Sequence, residues 1–149
     1  MRPKVGLLTK IYYSDKAVPT ESDLTQVLYT EEIPQLEEAP EAIAYQTVDM
    51  PEEYSEQGSK KASQPVIPVL YISSQHTSLK KLADSKKIVH WFVLYPETTC
   101  GEGEKPLCKS FEASCALTDN GYTKEDMIKD NLTLYRTSSI KETLGLPTA

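Results

Sequence analysis

Long hydrophobic runs are missing from this chain of 149 residues. No apolar stretch approaches the roughly 20 residues that a membrane-spanning helix needs. The N-terminus, Met1 to Lys10, is basic but lacks the apolar centre of a signal peptide, which argues against secretion by that route. Cysteine is scarce, and an odd count of 3 is no basis for a disulfide framework. Cys100, Cys108 and Cys115 also stand too far apart in sequence for the close pairs of common zinc sites. Only His76 and His90 supply imidazole. His76 reads as a surface residue and His90, inside an apolar run, as a hydrogen-bonded structural one. There is no Gly-rich phosphate loop, no Gly-x-Ser-x-Gly elbow and no metal-binding helix pair. The acid pairs Glu31-Glu32 and Glu52-Glu53 fall in expected loops, without a rigid frame for acid/base work. These absences leave no catalytic residue, cofactor or metal site to assign.

Positive charge is absent over a long tract. From Ala17 to Ser59 there is no Lys and no Arg, while half of the 22 acids lie there. The overall balance of −6 argues against a general nucleic-acid binder, which would carry a basic field. The tract reads either as a solvated acidic face or as a surface that repels a polyanion or meets a basic partner. Six of the 16 bases come as adjacent pairs: Lys60-Lys61, Lys80-Lys81 and Lys86-Lys87.

What is present favours strands. Residues 5–13 hold an apolar run with ambiguous periodicity, and 18–23 read as a loop. Pro34 and Pro40 exclude a long helix over 31–41. Ala42 to Val48 predicts a strand with Ile43, Tyr45 and Thr47 on one face. Residues 49–64 predict a long polar loop, and 66–73 a strand that Pro68 confines to an edge or a bulge. Leu79, Leu82 and Ala83 fall on one stripe of a helix over 76–86, with Thr77 or Ser78 as its N-cap. Ile88 to Tyr95 predicts a strand covered on both faces. In 110–118, Phe111, Ala113, Cys115 and Leu117 alternate with polar or small residues, which predicts a half-buried strand. Asp119-Asn120-Gly121 signals a turn, Thr123 to Asp126 a capped turn, and Leu132 to Arg136 a final strand. The tail, 138–149, shows little periodicity and is expected to be flexible or to dock on a neighbour. The expected fold is one mainly β domain, 1–149, sandwich- or barrel-like, with a single flanking helix.

The segment EEIPQLEEAPEAIAYQTV, residues 31–48, resembles the tail tube proteins (major tail proteins) of long-tailed, non-contractile bacteriophages. The pattern is an Ile-Pro-x-Leu turn, acidic residues, Ala-Pro, then a strand ending in Thr. Ile33, Pro34, Leu36, Glu37, Ala39, Pro40, Ile43 and Thr47 occupy it here. The order of elements across residues 5–137 is similar as well.

The resemblance implies a structural virion protein forming hexameric rings that stack into a tube through which DNA passes without specific binding. Its partners would be copies of itself and the tape measure, tail terminator and distal tail proteins, with no membrane. It would reside in the virion tail after assembly in the bacterial host cytoplasm. The long loop would reach the next ring, which makes Asp49, Glu52, Glu53, Tyr54, Glu56, Lys60 and Lys61 candidates for ring stacking. Ser110, Glu112, Ser114 and Thr133, on the polar faces of their strands, become candidates for the lumen wall, where negative charge would prevent adhesion to phosphates. Rival readings are a terminator or connector of the same fold, a small enzyme with an intersubunit site near His90, Cys100 or Cys108, and a carbohydrate-binding sandwich using Tyr54.

Overall fold

The computed structural model describes residues 9–58, 64–96 and 100–147. Among them, nine strands and one helix follow in order: β1 (Lys10–Ser14), β2 (Thr25–Val27), β3 (Ala42–Tyr45), β4 (Tyr54–Gln57), β5 (Val66–Leu70), α1 (Ser73–Ser85), β6 (Val89–Leu94), β7 (Leu107–Asn120), β8 (Lys129–Arg136) and β9 (Lys141–Leu144). The expected mainly β architecture with a single helix is what the chain adopts.

Seven strands form one antiparallel sheet in the order β2-β1-β6-β7-β8-β5, with β9 also paired to β7. The 14-residue strand β7 is its spine. Residues 108–113 of β7 pair with β6, residues 113–120 with β8, and residues 107–110 with β9. The two ends of the sheet meet. Thr30, just past β2, forms a bridge with Val69 of β5, and the Glu31 N–H donates to the Pro68 carbonyl at 3.0 Å. The sheet thereby curls into a barrel, which leaves little free edge for unwanted pairing. Pro68 sits where its missing N–H predicts, on the last strand of the order.

Alternation along the strands fills the barrel. Ile11, Val27, Ile67, Val69, Trp91, Phe111, Ala113, Cys115, Leu117, Leu132 and Leu134 all belong to one buried cluster. Trp91 is wholly enclosed, so its indole N–H needs a partner; it donates to the Ala113 carbonyl at 3.1 Å. Helix α1 adds Leu79 to the cluster, with Leu82 and Ala83 packed against it, as the apolar stripe predicts.

Several boundaries differ from expectation. Helix α1 begins at Ser73, not at 76, and its N-cap is Ile72. Thr77 and Ser78 are not caps: their hydroxyls donate to the Ser73 and Ser74 carbonyls inside the helix. The early start has a tertiary cause, because the Gln75 side chain bonds both the N–H and the carbonyl of Leu28. Part of the expected loop over 49–64 is strand β4, paired with β3; residues 59–63 lie outside the described residues. The C-terminal segment docks on its own chain. Strand β9 takes up the edge of β7 beyond β8, Gly145 donates to the Pro106 carbonyl, and the Pro147 carbonyl accepts from Glu21 N–H at 2.8 Å.

Candidate functional site

The acidic tract divides into two parts with different surroundings. In the first, Leu36 is buried in the barrel core and Ile33 packs against it, so the Pro-punctuated segment is anchored there. Two of its acids are partnered: Glu31 lies 3.0 Å from Lys129 and Glu37 lies 3.3 Å from Lys109. Lys109 also stands 5.8 Å from the Tyr95 ring centroid and 4.0 Å from Glu142. Burial alone would lower the Lys109 pKa, but Tyr95 and Glu37 outweigh it and hold the ammonium above its ordinary value.

The second part is a hairpin arm. Strands β3 and β4 form a two-stranded sheet of their own, and all eight of their residues are exposed. The register pairs Ile43 with Glu56 and Tyr45 with Tyr54, so these four side chains share one face. The Tyr45 and Tyr54 rings lie 6.3 Å apart. Ile43 is 59% exposed and Val48 at the tip is fully exposed. A two-stranded hairpin is marginal in water by itself, and this one leaves Ile43, Tyr45 and Tyr54 largely bare.

The candidate stacking residues fall on this arm. Asp49, Glu52 and Glu53 occupy the connection between its strands, and Tyr54 and Glu56 are on β4. The Thr47 hydroxyl donates to Asp49 and lowers its pKa, which keeps that carboxylate charged. Glu52, Glu53 and Glu56 form no ion pair among the described residues. Lys60 and Lys61 lie outside the described residues. Ile43, Tyr45 and Val48 join the candidate residues on this arm, and the alternation of Ile43 and Tyr45 is the sequence signal for that face.

The four candidate lumen residues share the sheet face opposite the core. Ser110, Glu112 and Ser114 alternate with the buried residues of β7, and Thr133 of β8 pairs with Ala116 on the same face. Glu112 is half-exposed and its Oε1 lies 3.5 Å from His90 Nε2. The two border a shallow depression of about 300 Å³ that Phe92, Lys141 and Pro147 also line. Cys108 departs from the alternation: it lies on this outer face yet is fully buried, and burial pushes its pKa up to about 11.

His76 is not a free surface residue. Its Nδ1 lies 2.8 Å from Oδ2 of the buried Asp130, which ties the first turn of α1 to β8. Cys115 is a core residue, as expected, with its thiol likewise pushed up to about 11 by burial. Among the described residues no group of three or more His, Cys, Asp or Glu is placed to hold a metal ion.

The sequence matches no protein-family profile and no curated protein. The fold does have a known counterpart. The chain superimposes with a TM-score of 0.68 on a chain from the six-fold symmetrised cryo-EM structure of the anti-feeding prophage baseplate. The alignment covers 97% of both chains at 9% identity, so the likeness is one of fold.

Proposed function

We propose that this protein is a structural subunit of a phage or phage-like tail, and that its copies form hexameric rings stacked into the tail tube. The observation that carries this reading is the shared fold with a baseplate chain of a six-fold particle over nearly the full length of both chains. The bare apolar arm supports it, because a subunit built to polymerise must keep a contact surface unsatisfied until a neighbour arrives. The role is structural rather than enzymatic. Tape measure, tail terminator and distal tail proteins would be its partners inside and at the ends of the tube, with assembly in the bacterial host cytoplasm.

In this reading the arm, with Asp49, Glu52, Glu53, Tyr54, Glu56 and the flanking Lys60 and Lys61, bridges consecutive rings. Ser110, Glu112, Ser114 and Thr133 line the lumen. There Glu112 repels phosphates and lets DNA slide without specific binding. Glu112→Lys is expected to assemble normally and to slow DNA ejection from virions. A density map of the tube with Glu112 on its outer wall overturns that assignment.

Negative-stain microscopy of the purified protein tests the whole proposal. Tubes of stacked six-fold rings are expected. Deleting residues 52–62 should leave a folded barrel that does not polymerise, and normal tubes from that deletion would sink the role of the arm. The baseplate origin of the structural counterpart favours one alternative, a neck or baseplate ring that does not extend. Isolated rings with no tubes at any concentration would select it. A chain that stays monomeric throughout overturns both.

A further inference from the structure

The arm needs a receiving surface, and one region of the same chain complements it in charge and in apolar character. At the C-terminal end of α1, Lys80, Lys81, Lys86 and Lys87 are all exposed, and Ile88 among them is 53% exposed. Lys87 reaches Asp15 of the β1–β2 connection at 3.7 Å, which brings that loop, with exposed Lys16 and the 84% exposed Val18, to the same end of the barrel. Among the described residues, only Asp15 and Asp84 offset this charge by direct ion pairs, with Lys87 and Lys80. Lys81 and Lys86 have no carboxylate within ion-pair distance among the described residues. Lys86 also ends the helix in a left-handed conformation, φ 54°, which holds its position in the ridge.

We propose that this ridge is the docking site for the hairpin arm of a second copy of the chain. The acids Asp49, Glu52, Glu53 and Glu56 face the lysines, and the Ile43, Tyr45 and Tyr54 face covers Ile88 and Val18. The arm carries no base between Glu41 and Gln57, so its field is of one sign, and the ridge supplies the opposite sign. Two different surfaces meet in such a contact. It is therefore head-to-tail, which excludes closure in a two-fold dimer and lets successive copies add on. Charge sets the register and speeds encounter, while the buried tyrosines and isoleucines hold the complex. Docking is therefore weakened by salt but not abolished by it. The inference rests on the assembly reading above and adds the partner surface to it.

Charge swapping separates the two ideas. One variant carries Lys81→Glu, Lys86→Glu and Lys87→Glu; a second carries Glu52→Lys, Glu53→Lys and Glu56→Lys; a third carries all six. Every altered side chain is exposed, and Trp91 emission and thermal melting confirm folding. Polymer is measured by sedimentation and negative-stain microscopy. Each triple variant should raise the critical concentration for assembly at least about tenfold, because like charges now face each other. The six-fold variant should recover most of that loss. Ridge variants that polymerise like the parent chain, or a six-fold variant no better than the triples, overturn the docking site while leaving tube formation intact. A parent chain that never polymerises overturns both readings.

Discussion

Glu37 and Glu53 belong to the same base-free tract, yet they stand in opposite situations. Glu37 belongs to a segment whose Leu36 is sunk in the barrel, and it neutralises Lys109, whose side chain is only 16% exposed. Glu53 sits in the connection of an arm whose strand residues are all exposed. Two apolar side chains account for the difference. Ile33 and Leu36 bring Glu31 and Glu37 to Lys129 and Lys109, whereas Ile43 and Tyr45 lie on an exposed hairpin and keep their neighbouring acids in solvent. Acidic composition is thus neutral as to role. Where a neighbouring apolar residue packs helps decide whether a carboxylate meets a lysine or stays in solvent.

The comparison breaks most sharply at its apolar anchors. Leu36→Ala removes a buried side chain and should cost about 2–3 kcal/mol of unfolding free energy in chemical denaturation. Tyr45→Ala on the arm should change stability by less than about 0.5 kcal/mol, yet impair polymerisation. Equal stability losses at the two positions would erase the distinction between anchored and bare halves.

Alkaline pH gives the next largest effect on stability, through thiols buried in the barrel. The Cys108 and Cys115 thiols are held up near about 11 by burial, against an ordinary value of 9.0. Burial also raises Tyr13, with Cys115 and Asp15 adding to the shift. A group whose pKa is higher in the folded chain contributes stability that is complete below its unfolded value and is lost as pH rises through the folded one. Melting temperature should therefore be flat to about pH 9 and fall between about pH 9 and 11. Iodoacetamide should label the partly exposed Cys100 in the folded chain and reach the other two only after unfolding. Labelling of all three thiols at equal rates in the folded chain contradicts the burial.

The smallest effect separates paired from unpaired carboxylates. Glu37→Gln should cost about 0.5–1 kcal/mol, since one charge-assisted contact to a partly shielded lysine is lost. Glu52→Gln should leave the melt unchanged within error and should reduce the salt dependence of assembly. The reverse pattern would assign the two halves of the tract the wrong way round.

How far the residues announced this arrangement varies by element. Phe111, Ala113, Cys115 and Leu117 disclose β7 because a period of two matches the pleat of a half-buried strand. Leu79, Leu82 and Ala83 disclose the inner stripe of α1 for the corresponding helical reason. Strands β4 and β9 stayed hidden. Tyr54–Gln57 and Lys141–Leu144 are exposed throughout, so no burial pattern marks them. They are strands only because β3, across the hairpin, and the free edge of β7, far away in sequence, offer backbone partners. The ion pair of His76 with Asp130 was hidden for the same reason, its members being 54 residues apart.

The candidate surfaces follow that division. The polar face holding Glu112 and the acidic character of the arm were readable, because periodicity and composition are local properties. The pairing of Tyr54 with Tyr45 on the arm, the closure of the barrel through Thr30 and Val69, and the lysine ridge joined to the β1–β2 connection were not. Local sequence by itself determined which residues favour strand, helix or turn, and where charge of one sign accumulates. Only the tertiary structure decided which acids find a partner and which stay bare, because that depends on non-local packing of a few apolar anchors and on which backbone edges remain open.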